Sequence, residues 1–479
     1  MATDRSANRE MSWRMRIVSL IFSLMSVSLH AQEILIRNAN VISMQEGAEA
    51  IWQDTSVLIR DGKIAGVYRG ELPAVSQETV VVDGRGKTLM PGLIDMHVHI
   101  WDSPELLATL SYGVTTVRNA SGMPFLLEYR DKIEAGTLEG PRLFTTGPIL
   151  NGPGPNAQIN HQLVHSAEEA RTAVHEHYDQ GYRDLKVYSN LSRESYEAIL
   201  EEARKLGLTV MGHTPEGVRE PGIPFDKPFN IAFEEVLDDG LESIEHIESI
   251  VWHALADELD EGRVRELAKK IAAAGVPVDP TLVAHHNLVM MARTQGAYQQ
   301  RDGVELINPF LRMIEQANYD AWAARGTDAR SQYDEFYGRV LKIFMEEDVL
   351  LVTGTDAGIF INVPGLSLVD ELALYLNAGV SAEDALRAAT VNGATVLGFE
   401  NSVGRIQEGY EADLVLLPDN PLENMRVLET PAGLLVRGRW YDALAIREMR
   451  LRAAESSIER TQQQVFEAMA IQGTSLEGL

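Results

Sequence analysis

Between residues 91 and 401, short apolar runs alternate with longer stretches of helical periodicity. Eight runs read as strands: Leu93–Ile100, Thr115–Ala120, Arg142–Ile149, Asp184–Ser189, Thr209–Thr214, Ser243–Ile247, Val276–Leu282 and Leu350–Asp356. Helical stretches such as Ala167–Gln180, Ser192–Leu206 and Arg263–Ala274 lie between them. Strand–helix alternation on this scale predicts an α/β chain built as a (β/α)8 barrel over residues 91–401. A doubly wound open sheet is the alternative, but no glycine-rich phosphate loop follows the first strand.

The pattern changes at both ends. ILIRNANVI, SVLIRDGKIAGV and TVVVDGRGKTLM alternate as strands do, with Asp61-Gly62 and Asp83-Gly84 as turn signals. Similar runs return at Ala412–Leu417 and Leu434–Gly438. Residues 32–90 and 402–445 are therefore expected to form one small β-sandwich domain, and 446–479 a charged helical tail. The interval from His285 to Gly338 has helical composition and no strand, which suits an elaborated loop at the barrel mouth.

The first residues read as an address. Arg14 and Arg16 precede the apolar stretch Ile17–Leu29, and Leu29-His30-Ala31 offers a cleavage site before Gln32. Residues 1–31 are expected to be a signal-peptide region, with Met11 as initiator, cleavage after Ala31 and export to the periplasm or beyond. The apolar stretch is shorter than the ~20 residues of a spanning helix, so no stable membrane insertion is expected after cleavage. An uncleaved anchor is the alternative.

Composition narrows the chemistry. The 479 residues carry a formal net charge of −28 and no cysteine. Such acidity argues against nucleic acid as a partner, and thiolate metal sites are excluded. Oligomeric state stays open, a homo-oligomer included.

Candidate chemistry collects at the strand ends. His97 and His99, two apart on the first strand, project to the same side and suit one metal ion. Lys186 lies on strand four, His213 ends strand five, His246 ends strand six and Asp356 ends strand eight. In a barrel all these ends face one mouth, and four histidines, a lysine and an aspartate there point to a metal site. Tyr188, two residues past Lys186, is placed to donate a hydrogen bond to a developing oxyanion. His165, in the Gly/Pro/Asn-rich loop after strand three, is a candidate substrate contact, and so are His285 and His286 after strand seven. His175 and His177, on a helix, read as surface residues. His161 and His253 take no assignment.

With PGLIDMHVH near the start and VGRIQEGYEADLVLLPDNPLE near the end, the chain resembles the amidohydrolase superfamily over nearly all its length. Within it, the chain resembles secreted imidazolonepropionase-like and Xaa-Pro dipeptidase-like metal-dependent hydrolases. The resemblance implies that His97, His99 and Asp356 bind one metal, His213 and His246 a second, and a carboxylated (carbamylated) Lys186 bridges both. The cofactors implied are thus two divalent ions, zinc foremost. An ammonium between two dications would be repelled, whereas a carbamate is an anionic donor. Two ions ~3.5–4 Å apart lower the pKa of bound water from 15.7 towards ~7, and Asp356 can pass its proton to a leaving nitrogen.

The expected function is hydrolysis of a C–N bond in a small amide, dipeptide or N-acyl amino acid. One alternative is a mononuclear cyclic-amide hydrolase (imidazolonepropionase-like) or deaminase, in which Glu216, three residues after His213, replaces the lysine as the working group. The other is a non-catalytic binding protein on the same fold.

Overall fold

The computed structural model describes residues 33–154, 157–158, 160–218 and 229–472. The expected signal-peptide region at 1–31 lies outside them.

The terminal strands form one mixed eight-stranded sheet. It comprises β1 (Ile34–Val41), β2 (Trp52–Arg60), β3 (Lys63–Tyr68), β4 (Val80–Asp83) and β5 (Thr88–Pro91) from the N-terminal side. From the C-terminal side β14 (Leu414–Leu417), β15 (Gly433–Val436) and β16 (Arg439–Asp442) join it. The junction is the antiparallel pair β5–β14, running from Leu414 opposite Pro91 to Leu417 opposite Thr88. Strand β1 serves two neighbours on one edge: Ile34–Arg37 pair with β4, and Asn40–Val41 with β5. Asn38, at φ 57, sits at that change of partner.

The barrel begins two residues past β5. Its strands are β6 (Leu93–Val98), β7 (Val114–Asn119), β8 (Arg142–Asn151), β10 (Asp184–Val187), β11 (Thr209–Gly212), β12 (Ile244–Glu245) and β13 (Val278–Asp279), parallel and paired in that order. A short β9 (His161–Leu163) pairs with β8. The eighth expected strand is a run of isolated parallel bridges rather than a ladder. Leu351 bridges to Val278 and Ala357 to Val98, so residues 351–357 span the gap between β13 and β6 and nearly close the barrel. Every residue of β6 and β7 is buried, as a strand covered on both faces requires.

Capping explains why the helices fall where expected. Ala167–Gln180 and Arg193–Leu206 start behind Ser166 and Ser192, whose hydroxyls accept from the backbone three residues on. Both end at a glycine in the left-handed region, Gly181 and Gly207. His177 corrects the surface reading: it is 1% exposed, because its position faces β8. The predicted elaborated interval is indeed strandless, and its helices Leu282–Arg293, Pro309–Ile314, Gln316–Ala323 and Ser331–Glu346 crowd the mouth. The tail forms the helices Ala443–Ala453 and Ile458–Gln472. The second reaches the barrel rim, where Gln464 Nε2 donates to Trp101 O at 3.0 Å.

Candidate metal and active site

Strand β6 carries His97, and His99 follows its last residue; both are buried. The Nδ1–H of His97 donates to Glu245 Oε2 at 2.5 Å, which leaves the Nε2 lone pair facing the mouth. His99 Nδ1 meets Ser121 Oγ at 2.7 Å. Asp356 Oδ1 lies 3.1 Å from His97 Nε2 and 3.0 Å from His99 Nε2. These three residues form a group able to hold a metal ion, their ligand atoms all within 4.8 Å of one another. Lys186, 1% exposed, brings Nζ to 3.1 Å from His97 Nε2.

The remaining two histidines complete an arc. The His246 ring lies 4.6 Å from that of His97 and 4.3 Å from that of His213. Its Nδ1 is held by Thr281 Oγ1 at 2.7 Å. Among the described residues His213 Nδ1, which is buried, has no hydrogen-bond partner. All six residues named from the sequence therefore meet at one place. A cation fits them. An imidazole nitrogen without a partner, and a carboxylate oxygen shared by two Nε2 atoms, make a donor set of the hard and borderline kind that divalent zinc, manganese or cobalt accepts.

Backbone strain concentrates here. His246, Thr281 and Asp356 take φ of 67°, 44° and 53°, a region where residues other than glycine pay roughly 1–3 kcal/mol. Asp356 is held by its N–H to His97 O, 2.9 Å, and by Asn362 Nδ2 on its own carbonyl, 3.2 Å. Two residues on, Gly358 has φ +100, and a Cβ there would collide with the His99 carbonyl.

Burial and charge set the protonation states. Burial lowers the Lys186 amine to about 8, although Glu245 and Asp356 act in the opposite sense. Burial would raise the Asp356 carboxyl, but the imidazoles of His246, His97 and His99 outweigh it and hold the group well below the usual carboxylate range. Burial pushes the Tyr188 phenol up, so it stays a donor.

The cluster floors a cavity of about 700 Å³. Tyr188 lines it, its ring tilted against that of His213 at 3.9 Å between centroids, and so does Glu216, buried and accepting from Trp252 Nε1 at 3.1 Å. Trp101, Ile149, Leu288, Leu311, Ile314 and Phe360 form an apolar wall. Arg330 reaches in from the strandless interval but is tied to Asp257 at 3.1 Å and to the Tyr337 hydroxyl at 3.0 Å.

Three expectations about substrate contacts change. His165 is exposed and lies outside the cavity, past the end of the short strand β9. His161, at the start of β9, lines the cavity instead. His285 and His286 face Asp334, with His286 Nδ1 at 3.0 Å from Oδ2, and also lie outside. Glu245 and Thr281, which orient His97 and His246, were not among the residues named from the sequence. Glu245 stood next to His246 in Ser-Ile-Glu-His, which was the available signal.

A family model described as the Amidohydrolase family matches residues 88–441. The chain belongs to that family. Among sequence relatives of this amidohydrolase is the 5-methylthioadenosine/S-adenosylhomocysteine deaminase of Clostridium tetani, 21% identical over 81% of the chain and 85% of that protein. The imidazolonepropionase of Colwellia psychrerythraea is 24% identical over 82% of the chain and 92% of its own length. Among solved structures, a Xaa-Pro dipeptidase with methionine in its active site aligns at a TM-score of 0.65 and 20% identity, over 86% of this chain and 100% of that one. The amidohydrolase is accordingly an enzyme, a metal-dependent hydrolase acting on carbon–nitrogen bonds.

Proposed function

We propose that the protein hydrolyses the amide bond of a small dipeptide-like or N-acyl amino acid substrate, using two divalent ions, zinc foremost, bridged by a carboxylated Lys186. The observation that carries this reading is the amine of Lys186, buried against His97 Nε2 and surrounded by His99, His213, His246 and Asp356. A buried amine lowered to about 8 is in part the free base near neutral pH, the form that carbon dioxide carboxylates.

His97, His99 and Asp356 would hold one ion and His213 and His246 the other. Ions there supply Lewis acidity, which activates water and polarises a carbonyl. Asp356, kept ionised by its imidazole neighbours, takes the proton released by the nucleophile and hands it to the departing nitrogen. Tyr188 donates its O–H towards the oxygen that gains charge. The apolar wall excludes water and takes a bulky side group of the substrate.

A second reading is supported by Glu216, which faces the cavity rather than solvent. In it one ion suffices and Glu216 moves the proton, as in a cyclic-amide hydrolase or deaminase. A screen of N-acyl amino acids, dipeptides, cyclic amides and aminopurines on Lys186→Ala and Glu216→Gln separates the two. Loss of amide hydrolysis in the lysine variant alone supports the bridged site. Loss only in the glutamate variant transfers the assignment to the rival.

A further inference from the structure

His161 has a hydrogen-bonding state that its neighbours fix completely. Asn151 Oδ1 accepts the backbone N–H groups of Gly152 and Asn190, each at 2.9 Å. An oxygen must occupy that position, so the amide nitrogen of Asn151 is the atom turned to His161. Asn151 Nδ2 lies 3.1 Å from His161 Nδ1, and the Gln158 N–H reaches the same atom at 3.3 Å. Two donors on one ring nitrogen require a lone pair there, and the proton of the neutral imidazole is therefore on Nε2.

Among the described residues that Nε2–H has no acceptor. The residue is 2% exposed, Nε2 is buried, and it makes no hydrogen bond among the described residues. A buried N–H without a partner is rare enough to need an explanation. His161 lines the cavity, and its ring packs at a tilt 4.6 Å from that of Tyr188, itself against His213. Burial, with Lys186 and His99 acting in the same sense, lowers the ring to about 3, so it remains a neutral single donor at working pH.

We infer that His161 is a substrate-contacting residue whose Nε2–H donates to an acceptor oxygen of the bound amide, a carbonyl or a carboxylate. This rests on the amide-hydrolase reading above. A donor-only edge selects for oxygen: a substrate ammonium or amino group at that place would leave two donors facing each other.

Two measurements test it on the metal-loaded full chain. Nitrogen-15 NMR of histidine-labelled protein reads the ring directly, and the Nε2–H tautomer is expected at His161. Titration calorimetry then uses two probes, the N-methylphosphonamidates of L-phenylalanine and of 2-phenylethylamine, which share tetrahedral oxygens and differ in a carboxylate. His161→Phe is expected to weaken binding at least ~10-fold, and His161→Gln, which keeps an N–H donor, to recover most of it. Weakening of both probes assigns the contact to the reacting oxygen; weakening of the phenylalanine probe alone assigns it to the carboxylate. A proton on Nδ1, or wild-type affinity in His161→Phe, overturns the inference and leaves the hydrolase reading standing. Failure of the wild-type chain to bind either probe overturns both.

Discussion

Arg118, on β7, is a fully buried charge of the barrel, 0% exposed. Its Nε donates to Met96 O at 2.9 Å, one terminal nitrogen to Glu242 at 2.8 Å, and the other to Ser243 Oγ at 2.8 Å and Glu245 Oε1 at 3.0 Å. Glu245 in turn takes the Nδ1–H of His97, so one guanidinium orients a proposed metal ligand through one carboxylate. Arg118→Met keeps much of the stem volume and strands Glu245, which is fully buried. Removing one partner from a buried ion pair costs about 3–5 kcal/mol, because the remaining charge stays desolvated. Loss of a residue that orients a metal ligand lowers metal affinity by roughly 10–100-fold. Chelator competition with zinc and the denaturant midpoint at unchanged slope read the two effects. Glu245→Gln in the Arg118→Met background removes the stranded charge, and the double variant is expected to lose less than the sum of the singles by about 0.5–3 kcal/mol. A variant within 1 kcal/mol of wild type and with unchanged zinc affinity would refute the orienting role.

Three further outcomes are expected. His177 is buried and neutral, lowered by burial to about 4 from 6.5. The unfolded chain binds its proton more readily, so stability is present above pH 6.5 and lost as pH falls towards 4, by about 3 kcal/mol from this residue; His177→Gln should flatten that part of the acid profile, and an unchanged slope would contradict it. Gly358→Ala should cost well over 1 kcal/mol and disturb metal loading, since φ +100 and the His99 carbonyl both oppose a side chain; calorimetric melting with and without zinc measures both. Edman sequencing of protein recovered from an exporting host should begin at Gln32, and a chain retaining residues 11–31 would contradict cleavage after Ala31.

Much of the site was legible because barrel strands deliver their C-terminal residues to one mouth. His97 and His99 could be paired by alternation alone, and Lys186, His213, His246 and Asp356 by their places at strand ends. What stayed hidden depends on backbone turns that periodicity does not encode. Glu245 and His246 are neighbours and should point apart, yet both serve the site: Glu245 turns inward to His97, while His246, at φ 67, swings to the mouth. His161 and His165 are four apart, yet His161, on β9, lines the cavity and His165, past its end, does not. The eighth strand read as an ordinary apolar run, but between Leu351 and Ala357 it holds its neighbours by bridges, which frees Asp356 for its unusual turn. The terminal strands were found from alternation, whereas the register between β5 and β14, some 320 residues apart, lay beyond local pattern.

The proposed site holds two ions and depends on Lys186. Metal content by mass spectrometry of the protein produced with zinc and bicarbonate tests it most directly. About two ions per chain are expected, falling to one or none in Lys186→Ala. A single ion held equally by both proteins would contradict the bridge, and a chain that retains no metal would contradict the mechanism altogether.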